Sequence, residues 1–271
     1  MNVAHVPLAE DEPHRTTGPT VWVLSAPMRW LAGVMTSVLL FAACGGDDTA
    51  TEEPSAPTEE PSADDERQAD VAAAEKIVLT LADFEPGWEA SPPEDDPDTE
   101  DLDEDLADCL GITLEELEPD NPSADSDTFT SANDEEVEAS VAITPTEADA
   151  EKAMDRFEGS EALDCLGQYF RSLIGRGFAE NAGEMPDDLE IGDPTLNEVS
   201  VPALGDEAKG LRLTTPLSSS GVDVDLYIDF VIVRVGRVGI TTTFLSTFTP
   251  FSETEAAEFV EAMVDRVPAD L

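Results

Sequence analysis

The amino-acid sequence predicts an α+β fold, a single domain whose antiparallel sheet of about five to six strands carries helices packed on one face. Three observations predict it. Residues 222–233 alternate, with Val222, Val224, Leu226, Ile228, Phe230 and Ile232 on one side and Asp223, Asp225, Tyr227 and Asp229 on the other. Val235-Gly236-Arg237 then reads as a tight turn into a second apolar run, 238–248, which makes a long β-hairpin. Several segments before and after these strands instead repeat apolar residues at three- and four-residue spacing, the helical period.

In chain order, the first helix is expected over 70–82, where Val71, Ala74, Ile77, Val78 and Leu81 share a face. Glu85-Pro86-Gly87-Trp88 is a turn signal that stops it. Ten of the fifteen residues from 94 to 108 are Asp or Glu, read as a solvated acidic loop, with a short helical turn following at 110–117. Strands are expected at 127–131 and 136–144, the second alternating through Val137, Ala139, Val141 and Ile143. Thr146 and Asp149 resemble a capping box for a helix carrying Ala150, Ala153, Met154 and Phe157. Ser160 caps the next helix, which bears Leu163, Leu166, Phe170, Leu173 and Ile174 and is expected to end at Gly175 or Gly177. Strands follow at 196–201 and 209–215, ahead of the hairpin. Ser252-Glu253-Thr254-Glu255 opens a last helix that Pro268 ends.

Charge narrows the function. The 271 residues hold 62 Asp and Glu against 13 Lys and Arg, a net charge of −49. Such a polyanion is repelled by phosphate backbones and by anionic lipid, so binding to nucleic acid through a basic surface is excluded. The same acidity suits a well-hydrated extracellular protein or adaptation to high salt.

Targeting is written in the first 68 residues. Met28-Arg29-Trp30 leads into an apolar run, 31–43, that ends Phe41-Ala42-Ala43-Cys44-Gly45-Gly46. One positive charge, a short apolar stretch and small residues before a cut describe a secretory signal, and the run is shorter than the roughly 20 residues of a membrane span. This resembles a bacterial lipoprotein signal: Ala42-Ala43-Cys44 matches the last three positions of the lipobox, and Phe41 replaces the usual Leu at the first. The resemblance implies cleavage before Cys44 and lipidation of Cys44, with two or three acyl chains holding the chain to the membrane. Residues 1–27 are polar, and a start at Met28 would leave a compact signal over 28–43. Residues 44–68, rich in Thr, Glu, Pro, Ser, Ala and Asp, read as a disordered tether. The folded domain is expected over 69–271.

A cut at Cys44 has a chemical consequence. His5 and His14 lie before it, so the mature 228 residues contain no histidine. Losing Glu10, Asp11, Glu12, Arg15 and Arg29 leaves 59 acidic and 11 basic residues. Serine and cysteine triads and imidazole-built zinc sites are then unavailable. Cys109 and Cys165 remain as an even pair in an oxidising compartment, expected to form a structural disulfide.

Candidate sites each have a plainer reading. An EF-hand loop starting at Asp101 fails, because Leu106 and Ile112 stand where Gly and Glu are needed. Asp223, Asp225 and Asp229 share one strand face, on which neighbours at i and i+2 lie about 7 Å apart; that resembles the carboxylate separation of some glycosidases, and equally the watered face of a sheet. Trp88 offers an aromatic surface for sugar or lipid, or a cover for the core. Arg212, Arg234 and Arg237 offer cations to an anionic ligand, or to neighbouring carboxylates. No glycine-rich phosphate loop occurs, and no cofactor or metal is expected.

Leu81-Ala82-Asp83-Phe84-Glu85-Pro86-Gly87-Trp88, the Cys109-Leu110 and Cys165-Leu166 pairs, Leu204-Gly205-Asp206-Glu207-Ala208 and the hairpin Val233–Val238 together resemble actinobacterial surface lipoproteins and the extracellular sensor domains of mycobacterial serine/threonine kinases of the PknH type. That resemblance implies an α+β domain with a central antiparallel sheet and a ligand cleft; those domains carry two disulfides where this chain can make one. The expected function is a membrane-anchored, non-catalytic ligand-binding or sensor-like envelope module. Its partners are the membrane, through its lipid, and a small-molecule or envelope ligand. The rivals are a carboxylate-based hydrolase of cell-wall glycans and a structural spacer. Intact mass of the protein from its native envelope tests the targeting. A chain starting at acylated Cys44, two hydrogens lighter than its reduced form, is expected; a start upstream of Cys44, or free thiols, refutes it.

Overall fold

A computed structural model describes residues 62–93, 99–180, 185–186 and 188–271. Cys44, the signal segment and most of the tether lie outside these residues. The first helix, α1 (Ala63–Ile77), begins earlier than its apolar face suggested, inside the stretch 44–68 read as tether. The reason is local: Ser62 Oγ accepts from Asp65 N and Asp65 Oδ2 accepts from Ser62 N, a capping box that starts the helix about three turns ahead of its first buried residue, Ala74. The helix ends at Ile77, and a single 3₁₀ turn, Leu81–Asp83, leads into β1 (Glu89–Ser91).

The acid block is the largest local departure. Residues 100–108, read as part of a solvated loop, lie in α2 (Glu100–Leu110). Leu102, Leu106 and Ala107 fall on one buried stripe together with Asp103, whose carboxylate accepts from the Thr99 hydroxyl, and the other acids lie outside it. Gly111, at φ 71°, ends it in the left-handed conformation that a glycine adopts without strain. Next come α3 (Leu114–Leu117), β2 (Ser123–Asp125), β3 (Thr128–Thr130) and β4 (Glu136–Ile143).

Two helices follow, α4 (Glu147–Asp155), with Thr146 as its cap, and α5 (Ser160–Glu180). The expected stop at Gly175 or Gly177 does not occur. Neither glycine is in the left-handed region, and Phe178, beyond both, packs into the core. The remaining elements are β5 (Glu190–Ile191), β6 (Thr195–Val199), β7 (Glu207–Ser219), β8 (Val222–Val235), β9 (Val238–Thr247) and α6 (Glu253–Val264).

Among the described residues the sheet is antiparallel and has nine strands, more than the five to six expected. The path runs β1-β3-β4-β9-β8-β7-β5, with β2 also on β4 and β6 also on β7. The missed strands β1, β2 and β5 have two or three residues each, too short for alternation to register. Two hairpins hold the centre. Ser220 and Gly221, both at positive φ, turn β7 into β8, and Gly236 turns β8 into β9.

Helices cover both faces of the sheet, where packing on one face was expected. Leu226, Ile228, Phe230 and Ile232 of β8 meet α2, α4 and α5, with Phe170 stacked on Phe230 at 5.1 Å. Val231 and Val233, alternating with them, point to the other side and pack with Ala74 and Ile77 of α1 and Val260 and Met263 of α6. The polar side of β8 thus turns apolar after Asp229, and that second apolar patch demands its own helical cover. Val137, Ala139, Val141 and Ile143 of β4 belong to this second core.

Cys109, at the end of α2, is bonded to Cys165 in α5, as expected. Closing a loop of this length contributes about 4 kcal/mol in the chain-entropy view. Replacing both cysteines by serine should therefore lower stability by about that amount, read from chemical denaturation. An unchanged midpoint would show that the α2–α5 packing holds without the bond.

Candidate functional site

The site is built where α6 crosses the second face of the sheet. Ser252 caps α6 by accepting from Glu255 N, which starts the helix with Glu253 and Thr254 beside the strands. Opposite it, the chain leaves β6 at Val199 and crosses to β7 through residues 200–206. Gly205, at φ 59°, lies so close to the Arg234 carbonyl that a Cβ would sit 2.5 Å from it. Asp206 N donates to Arg234 O, and Asp206 Oδ2 accepts from Gly236 N, which pins the far end of this crossing.

Between α6, this crossing and the sheet lies a cavity of about 420 Å³, within the range of small-molecule sites. Its walls are mostly apolar, from Val199, Val201, Pro202, Leu204, Phe251 and Ala257. Its floor is polar. Arg212 of β7 stands directly opposite Asp229 of β8 in the strand register. Arg212 donates twice, Nε to Oδ1 at 2.5 Å and Nη2 to Oδ2 at 2.9 Å. The Asp229 side chain is 9% exposed and that of Arg212 20%. Burial pushes the Asp229 carboxyl above the usual aspartate range, against the pull of Arg212. The more exposed guanidinium is shifted up, because its hydrogen bond to Asp229 outweighs its own burial.

The sequence's other candidates are dispersed. Asp223 and Asp225 share the face of Asp229 but line a separate cavity, about 420 Å³, with Ile191, Pro216 and the exposed Phe248. Asp225 also accepts from the Tyr227 hydroxyl. The three aspartates therefore do not form one catalytic cluster. Trp88 covers the core, as the plainer reading had it, lying 4.8 Å from Phe84 and edge-on to Phe259 at 6.3 Å. Arg212, Arg234 and Arg237 all pair with carboxylates of the chain. Arg237 donates twice to Asp70 of α1, and Arg234 sits among Glu147, Glu151, Asp206 and Glu207. Among the described residues, no group of three or more metal-ligating side chains comes together.

Sequence reasoning missed α6 and the 199–204 crossing as cavity walls. It also missed a polar patch inside the protein. Glu136, Glu138 and Ser140 alternate with the valines of β4, face the opposite side of the sheet, and are each under 5% exposed. Thr128 donates its hydroxyl to Glu138. The alternation was legible; the burial of its polar half was not.

No protein-family model and no curated protein matches the chain. Among solved structures, an uncharacterized protein from Mycobacterium smegmatis aligns at 14% identity, covering 73% of this chain and 95% of that one, with a TM-score of 0.32. The extracellular domain of PknH from Mycobacterium tuberculosis aligns at 9% identity over 72% of this chain and 95% of that one, with a TM-score of 0.31. Superpositions this loose determine neither fold nor function; strand register and packing describe the fold. No described helix is long and apolar enough to cross a membrane.

Arg212→Leu should destabilise the protein by about 3 kcal/mol at neutral pH, because it strands the buried Asp229 charge. A carboxyl with a raised pKa stabilises the fold most fully below the usual aspartate range, and that contribution is lost as pH rises through its own value. The loss in Arg212→Leu should therefore shrink at acid pH, where Asp229 is neutral. Equal destabilisation at both pH values would refute the charge argument. In a carboxyl-carbon NMR titration, Asp229 should titrate above the ordinary aspartate range.

Proposed function

We propose that this protein is an extracytoplasmic, lipid-anchored and non-catalytic module of the cell envelope that binds a ligand in the cavity between α6 and the sheet. The observation that carries the reading is the cavity itself: apolar walls over a floor that holds one ion pair. Pockets that hold small molecules combine a mostly apolar lining with a few placed polar groups. A purely structural spacer has no need of such a void, which forfeits packing. The lipoprotein signal at Cys44 and the absence of histidine after it support the location and the lack of common acid–base machinery.

The hydrolase reading keeps one observation in its favour, the raised carboxyl of Asp229 in a concave site. A glycosidase needs a second carboxylate across the scissile bond, and Asp223 and Asp225 open on the other cavity. Both Asp229 oxygens are also held by Arg212.

Native mass spectrometry of the protein from its envelope tests the proposal. Excess mass that leaves on denaturation, and that is missing when Ala257→Trp fills the cavity, is expected. Turnover of cell-wall glycans by the wild-type protein, abolished in Asp229→Asn, would overturn the non-catalytic reading.

A further inference from the structure

We infer that the cavity between α6 and the sheet takes an amphiphilic organic cation, a compact apolar body carrying an ammonium-type headgroup; this rests on reading the cavity as a ligand site. The walls supply the first half. Val199, Val201, Pro202, Leu204 and Phe251 offer apolar surface, with Ala256 and Ala257 the small residues that leave the space open on the helix side.

Charge supplies the second half. Arg212 is the one cation among the lining residues, and its Nε and Nη2 are committed to Asp229. Against it stand Asp229 on the floor and Glu253, Glu258 and Glu261 along α6. The three glutamates are exposed, at the mouth rather than in the depth. Glu253 lies near enough to act on both members of the floor pair. The lining therefore carries one positive and four negative groups. The remainder of a chain of net charge −49 adds to the same field. An anion entering here meets net repulsion, because the one guanidinium is outnumbered by carboxylates and its charge is already paired with Asp229. A neutral amphiphile gains only its apolar contact. A cation gains that contact and the mouth carboxylates together, which is charge complementarity acting as selectivity. The apolar body goes to the walls, and the headgroup stays at the Glu253, Glu258 and Glu261 rim, where water still reaches it and desolvation costs little.

Isothermal titration of the full chain with three amphiphiles of the same octyl tail, below micelle formation and at physiological salt, tests this: octyltrimethylammonium, octyl glucoside and octyl sulfate. The cation should bind more tightly than the sulfate by about tenfold or more, and the gap should close when salt is raised. Glu253→Gln, Glu258→Gln and Glu261→Gln together should bring the cation down to the affinity of the glucoside. Ala257→Trp, or Thr254→Trp at the mouth, should abolish binding of all that bind. Equal affinity for the three headgroups overturns the cation class but leaves the ligand site standing. Failure of all three to bind overturns the site as well. Cation binding that survives both tryptophan variants would be adsorption to the acidic surface, and overturns the inference.

Discussion

The structure depends on a central strand that is apolar on both sides. From Phe230 to Val233, successive residues of β8 enter opposite cores, Phe230 and Ile232 toward α5 and Val231 and Val233 toward α1 and α6. A strand of this kind has no watered face, so helices must close the sheet twice. The order of elements follows from that demand. The helices between β4 and β5, together with α2, cover one face, and the first and last helices of the described chain cover the other.

Scarce positive charge is spent between distant segments. Arg237, at the hairpin turn, grips Asp70 of α1, and Arg266, after α6, reaches the carbonyls of Ile77 and Val78 and the Asp83 carboxylate. These partly buried contacts tie the end of the chain to its first helix. Exposed pairs such as Arg67–Asp120 and Lys152–Glu116 contribute little each in salt. With bases this few and committed, the surface that remains is acidic almost everywhere, and any ligand meets that field before it meets a wall.

Arg212 and Asp229 belong to both the fold and the site. Their pairing is a cross-strand contact of β7 and β8, the pairing that holds the two longest strands together. It also gives the cavity a polar floor on which the two opposite charges are paired. An unpaired Asp229 there would be a catalytic candidate; paired through both oxygens, it is a platform. The difference rests on one residue seventeen positions away, which shares a register with it.

Much of this was legible along the chain. The hairpin of β8 and β9, the capped helices at Thr146 and Ser252, the β4 alternation, the pairing of Cys109 with Cys165 and the covering role of Trp88 all rest on local periodicity, caps and cysteine parity; Ser160, expected as a cap, is instead the first residue of its helix. Those signals act over a few residues, and they survive into the fold. What the sequence determined by itself was thus the α+β class, its major strands and the absence of histidine after position 44. Tertiary structure alone decided the second helical layer, the burial of Leu102 and Leu106 within an acid block, and the separation of Asp223 and Asp225 from Asp229. Each of these depends on which surfaces meet across long sequence distances, as Val231 meets Val260 and Arg212 meets Asp229. No local pattern records such a meeting, because burial is a property of the assembled surface rather than of the residue.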